Sequence, residues 1–202
     1  DEARGYVNQG FRGVKLKIGF DLETDEKKIY AVRKAVGDDV ALMTDANHAY
    51  NAMTATKIGR VMEERNVTWF EEPVPPEDID GYLEVKHNLT VPIAGGEAEF
   101  TKYGYYNLIN RRALDILQMD NCVMGGAIAV RAGMQAAFAQ PNFPNKLFPD
   151  DVWLELDRTA NIFREELSLN PLKMKNGRIY KPTEPGLGIE INEELIKKYR
   201  VG

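Results

Sequence analysis

The sequence predicts an α/β chain built as a barrel of parallel strands, and three observations carry that prediction. Short apolar strands alternate with amphipathic helices along most of the chain, the pattern of parallel strands joined by right-handed crossovers. No glycine-rich phosphate loop follows the first strand, which removes the main sign of an open dinucleotide-binding sheet. Polar residues cluster at the C-terminal end of strand after strand, where barrel enzymes build their sites.

A helix is expected over residues 2–9. Residues 13–19 (GVKLKIG) read as a strand closed by glycine. Residues 25–36 follow as a helix, with Ile29, Val32 and Val36 at helical spacing and Gly37 as its stop. The next strand, 40–45, leads to a helix over 52–65 whose inner stripe is Ala55, Ile58, Val61 and Met62. A strand over 67–70 ends in Glu71-Glu72-Pro73, and a helix over 78–88 leads to a strand over 92–97. A helix over 101–112 and a strand over 114–118 complete the regular alternation.

Composition bounds the function. With 202 residues, 44% of them hydrophobic, the chain can bury one sizeable core. A net charge of −5 and a pI near 5.2 argue against a nucleic-acid partner, which needs a basic face. No apolar run approaches the roughly 20 residues of a membrane span, and residues 1–5 (DEARG) are too charged for a signal peptide. Cys122 is the single cysteine, which excludes a disulfide framework. A soluble, cytoplasmic protein is expected.

The strongest internal signal is a spacing. Asp45, Glu71 and Glu97 close three successive strands and stand 26 residues apart at each step, one strand-helix unit. Adjacent strands would each present one carboxylate at the same barrel mouth. Three carboxylates held together repel and do not all stay ionised without a cation. Oxygen-only ligands on a rigid scaffold suit a hard cation, Mg²⁺ before Mn²⁺. Taken singly, an acid after a strand is more often a helix cap or a surface charge; three in register are harder to explain so.

The second signal is Lys15-Leu16-Lys17. Residues two apart on a strand face the same way, so both ammonium groups point to one side while Val14, Leu16 and Ile18 face the helices. An edge strand with a solvated lysine face is the ordinary alternative. Inside a barrel, two lysines need carboxylates or a bound anion as compensation. The like charge of the neighbouring lysine and a nearby metal would also lower a lysine pKa, which suits a base.

These residues resemble a family. Lys15-Leu16-Lys17 resembles the KxK motif on the second barrel strand of the mandelate racemase subgroup of the enolase superfamily. Asp45-Ala46-Asn47, Glu71-Glu72-Pro73 and Gly96-Glu97 look like its metal-ligand motifs on strands three to five. Gln118-Met119-Asp120 followed by Gly125-Gly126 is similar to its sixth-strand segment, and Asn170-Pro171-Leu172 through Pro185-Gly186-Leu187-Gly188 to its C-terminal segment. The resemblance implies a (β/α)7β TIM-like barrel, here incomplete, as a single domain over 1–202. Its tail, from about residue 165, would pack back on an N-terminal capping domain; that domain and the first strand are absent from this sequence.

The resemblance also implies roles. Asp45, Glu71 and Glu97 would hold one Mg²⁺, which chelates a substrate carboxylate. Lys17 would remove the proton alpha to it, Lys15 would help hold it, Asn47 would contact substrate, and Asp120 would belong to the catalytic set. Glu71 rather than Glu72 is taken as the ligand because it shares strand parity with Trp69; Glu72 would support it from behind. A homo-oligomer acting on a small carboxylic acid is implied.

The family pairs the sixth-strand Asp with a seventh-strand His, and here the only histidines are His48 and His87. His87 reads as a solvated helix-end residue and His48 as a loop histidine. Two readings follow. Residues 126–140 could be one helix, with 145–148 as a seventh strand without its His. Alternatively 126–131 resembles the start of the sixth helix, 132–141 the helix after strand seven, and 148–151 the end of strand eight. We favour the second reading, which places a gap near Arg131, between about Val130 and Gly133. The loop sequences Gly95 to Thr101 and Asp45 to His48 resemble acid-sugar dehydratases more than mandelate racemase. The expected reaction is dehydration of a sugar acid to a 2-keto-3-deoxy acid. A racemase or epimerase, a Schiff-base lyase using a lysine, and a non-catalytic barrel relative are the alternatives.

Overall fold

The computed structural model describes residues 1–139 and 152–200. They group into two compact units, Asp1–Asp120 and Asn121–Gly202.

In the first unit, α1 (Glu2–Asn8) precedes β1 (Gly13–Lys17), α2 (Leu22–Val36), β2 (Ala41–Asp45), α3 (Ala52–Glu64) and β3 (Val67–Glu71). Then come α4 (Ile79–Asn88), β4 (Ile93–Gly95), α5 (Thr101–Arg111) and β5 (Ile116–Leu117). All strand pairs are parallel, and the sheet order is β1-β2-β3-β4-β5. Strands consecutive in the chain are therefore neighbours in space, and the order never reverses. That is a barrel wall, whereas a doubly wound sheet changes direction at its middle.

Local chemistry explains where the helices begin. The side chains of Asp21, Asn51 and Asp78 accept from the N–H groups of Thr24, Thr54 and Gly81. Each satisfies one of the orphan donors of a first helical turn. Alternation along the strands sorts the core. Leu42, Thr44 and Phe70 face the helices with Ile29, Ala55, Ile58, Met62 and Val85, all buried. Lys15, Lys17, Met43, Asp45, Trp69 and Glu71 have the opposite parity.

One irregularity matters. Leu42 pairs with Val67, but Met43 pairs with Trp69, so Thr68 is an extra residue in β3. A one-residue slip turns every following side chain to the other face. The bulge puts Trp69 and Glu71 beside Met43 and Asp45 rather than behind them.

The end of the sheet away from the polar strand ends is tied by Arg33. Its guanidinium donates to the carbonyls of Arg65, Gly37, Val40 and Asn66 at 2.7–2.9 Å.

The second unit holds α6 (Asn121–Phe138), α7 (Ile162–Glu166), the antiparallel pair β6 (Met174–Lys175) and β7 (Arg178–Ile179), and α8 (Glu193–Tyr199). The expected break between Val130 and Gly133 is not there: α6 passes through Arg131 as one helix. Residues 127–138 are mostly good helix formers, so the two segments join in phase. Arg131 is buried and donates to the carbonyls of Gly188 and Asn170, fastening the tail to this helix. Residues 145–151, where the seventh- and eighth-strand readings fall, lie outside the described residues. Among the described residues, no helix is long and apolar enough to cross a membrane.

Candidate active site

Register builds the site. Lys17 pairs with Asp45, Asp45 with Glu71, and Glu71 with Ala94, so one row crosses the C-terminal ends of β1 to β4. Glu97 comes from the loop after β4, where Gly96 holds φ +114° and approaches the Gln118 carbonyl. A Cβ at Gly96 would lie 2.9 Å from that oxygen, so the turn that presents Glu97 needs glycine. Carboxylate oxygens of Asp45, Glu71 and Glu97 all lie within 4.8 Å of one another.

Both lysines meet this cluster. Lys15 Nζ is 2.8 Å from Glu71 Oε1 and 3.5 Å from Asp45 Oδ2. Lys17 Nζ donates to Asp45 Oδ2 and, at 2.9 Å, to Asn47 Oδ1. Lys15 is nearly buried whereas the Lys17 side chain is 57% exposed, so only Lys17 is open to an incoming molecule. Asn47 is held by its own N–H, which donates to Asp45 Oδ1 at 2.9 Å. Its amide Nδ2 is 3.4 Å from Glu72 Oε2 and from Glu97 Oε1. Asn47, His48 and Glu72 all carry positive φ. Non-glycine residues held so are uncommon and concentrate at functional sites.

The charge is out of balance. Burial, opposed by Lys15 and reinforced by Asp45, raises the Glu71 carboxyl above the ordinary range. Burial and then the charges of Glu97, Asp45 and Glu71 push Glu72 up to about 8. The Tyr82 phenol is raised by burial and by the same four carboxylates. Beyond burial, four carboxylates, Asp45, Glu71, Glu72 and Glu97, stand here against two lysines, an excess of negative charge. An oxygen-only set of three carboxylates with that excess fits a hard divalent cation such as Mg²⁺.

The structure thus brings together Lys15, Lys17, Asp45, Asn47, Glu71 and Glu97. Asp120 follows β5 outside the three-carboxylate cluster, where it helps raise the Tyr105 phenol. Sequence reasoning missed how Glu71 is held. Its Oε2 accepts from Trp69 Nε1 at 3.2 Å and from Gln118 Nε2 at 2.8 Å. Strand parity could have found Trp69; nothing in the spacing marks Gln118. His48 also does more than a loop histidine, since its Nε2 lies 3.2 Å from Glu72 Oε2. Glu72 lies behind the cluster, buried between Asn47, His48 and Glu97.

The profile of the family described as "Enolase C-terminal domain-like" matches residues 1–140 and again 121–195. The chain belongs to that family. Its relatives within the enolase superfamily are of the mandelate racemase and muconate lactonizing type. D-galactarolactone cycloisomerase of Agrobacterium fabrum is 36% identical over 96% of this chain, and arabinonate dehydratase of Saccharolobus solfataricus 30% over 99%. This chain spans 58% of the length of each. The structure of L-talarate dehydratase from Polaromonas sp. JS666, complexed with Mg and L-glucarate, superposes with a TM-score of 0.75. It is 30% identical and shares 96% of this chain and 57% of its own. Racemases of N-succinylated amino acids are also related, at 26–28% identity.

The two matches to the enolase-type profile overlap over residues 121–140, so α6 serves as the end of one and the start of the other. Another relative aligns over 218 positions to all 202 residues, so it carries at least 16 residues with no counterpart here. Relative to its family the chain lacks sequence, although its backbone is unbroken at Arg131.

Proposed function

We propose that the chain carries the catalytic barrel of a Mg²⁺-dependent sugar-acid dehydratase. One observation carries the reading: an exposed lysine, Lys17, is paired with Asp45, one of three converging carboxylates, and bonded to an amide, Asn47, that reaches Glu97 as well. Asp45, Glu71 and Glu97 are the groups that would hold the ion. Once bound, Mg²⁺ would place positive charge on the substrate carboxylate, where negative charge accumulates as the alpha proton leaves.

The remaining steps belong to the chain's own residues. Lys15, anchored on Glu71, adds a second positive charge toward the substrate carboxylate. Lys17 takes the alpha proton at Nζ. The pair left on the alpha carbon forms the C=C bond, the beta hydroxyl departs, and with a proton it becomes water. The resulting enol becomes a 2-keto-3-deoxy acid. Asn47 fixes Lys17 through its Oδ1 while its Nδ2 faces the Glu72 and Glu97 carboxylates. The related dehydratases support this reading, and the single cysteine supports a cytoplasmic setting.

Racemisation or epimerisation is the second reading, favoured by the racemase relatives. Incubation with Mg²⁺ and a panel of sugar acids in deuterated water separates the two. A dehydratase yields 2-keto product, whereas a racemase or epimerase places deuterium at the alpha carbon without any. Neither product nor exchange across the panel would remove both.

A further inference from the structure

Tyr50 stands where three loops leave the sheet. It closes the loop after β2, and its N–H donates to the Pro73 carbonyl in the loop after β3 at 3.2 Å. Its hydroxyl donates to Asp25 Oδ2 in the first turn of α2 at 2.6 Å. The same carboxylate oxygen accepts the N–H groups of Gly19 at 3.1 Å and Phe20 at 3.0 Å, in the loop after β1. The Gly19 N–H also reaches the Tyr50 hydroxyl oxygen at 3.1 Å. Gly19 has φ +98°, and a Cβ there would lie 2.6 Å from Ala49 Cβ and 2.7 Å from the Ala46 carbonyl. The loop after β1 is thus pressed directly onto the loop after β2. The Tyr50 ring packs edge-on against Phe70, with centroids 6.3 Å apart.

What these contacts frame is the proposed base. Gly19 is two residues beyond Lys17, and Ala46 lies between Asp45 and Asn47, the two residues the Lys17 ammonium touches. Asp25 is fully buried, and its Oδ1 has no hydrogen-bond partner. A buried carboxylate with an unsatisfied oxygen is a cost that an apolar side chain filling the same space would avoid. Burial and Asp25 raise the Tyr50 phenol, so the hydroxyl remains a donor.

We propose that Tyr50 and Asp25 are positioning residues that lock the loop after Lys17 onto the loop carrying Asn47, and so set the reach of Lys17 Nζ over the carboxylate cluster. The inference rests on the reading of Lys17 as the base.

Tyr50→Phe tests it, keeping the ring and removing the hydroxyl, in the full chain with Mg²⁺ present. Reductive methylation read by mass spectrometry should modify Lys17 faster than in wild type, relative to the exposed Lys102. Amide protection should fall over residues 18–21 and hold over 93–95. Exchange of the alpha hydrogen of an accepted sugar acid should lose about 10²-fold in kcat, the usual cost of a displacement of about 1 Å, with KM unchanged. Lys17 reactivity and kcat equal to wild type, with only a lower melting temperature, would overturn the proposal. If Tyr50→Phe does not fold, Asp25→Asn carries the same expectations. If wild type exchanges no acid, the dehydratase reading fails, while Lys17 reactivity and loop protection still decide the clamp.

Discussion

Lys15 Nζ lies 2.8 Å from Glu71 Oε1, although the two residues sit on β1 and β3 with β2 between them. Strands two apart are separated by about 9.6 Å, a gap that only two long side chains rising from the same face can bridge. The contact passes Asp45 of the intervening strand, whose Oδ2 is 3.5 Å from the same ammonium. Three strand ends therefore act as one charged unit, and a change on any of them is felt by the others.

The carboxylate cluster should bind Mg²⁺. Calorimetry should detect one site in the wild type, lost in Asp45→Asn and in Glu97→Gln. At about 100 times its Kd, Mg²⁺ should add about 2.7 kcal/mol to the unfolding free energy of the wild type and nothing to either variant. Equal stabilisation of all three proteins would disprove the site.

Lys17→Ala should leave Mg²⁺ binding intact and abolish alpha-hydrogen exchange with solvent deuterium. Loss of a positioned general base costs about 10²–10⁴ in rate, and a proton this weakly acidic puts the effect at the upper end. Lys17→Arg should not rescue, since a guanidinium does not act as a base near neutral pH. Full exchange activity in Lys17→Ala would remove the assigned mechanism.

Glu72 makes a pH prediction for the metal-free protein. Its carboxyl stands at about 8 in the folded state against an ordinary 4.5. Between these values the folded state keeps a proton that the unfolded state has released, so stability falls as pH rises from about 4.5 to about 8. The urea midpoint with chelator present should decline across that window. Glu72→Gln should flatten the decline; a midpoint difference between the two proteins that stays constant with pH would count against the shift.

Arg33→Ala should destabilise without touching the site. Four carbonyls lose their donor, and an unsatisfied buried acceptor costs about 1–3 kcal/mol. Water will reach some of them, so a loss of about 3 kcal/mol is expected from urea unfolding. Mg²⁺ affinity of the folded variant should match wild type, and a site-specific loss instead would mean the two ends of the sheet are coupled.

Much of the fold is written in local pattern. Apolar periodicity and turn glycines placed the first ten elements from α1 to β5, because each depends on residues within a few positions of one another. The spacing of Asp45, Glu71 and Glu97 and the parity of Lys15 and Lys17 were legible for the same reason: one strand-helix unit and one pleat are both counted along the chain. Relations across strands were not legible. The extra residue at Thr68 is invisible as a letter, yet it turns Glu71 toward Asp45. Gln118 reaches Glu71 across 47 residues of chain, and Tyr50 finds Asp25 across 25. His48 looks like any loop histidine until Glu72 is folded against it. At Arg131 two segments that resemble different parts of the family meet, and the structure carries them as one good helix. Short-range propensity and period are properties of the sequence itself; register, burial and the charge that collects at a barrel mouth exist only once distant strands have been set side by side.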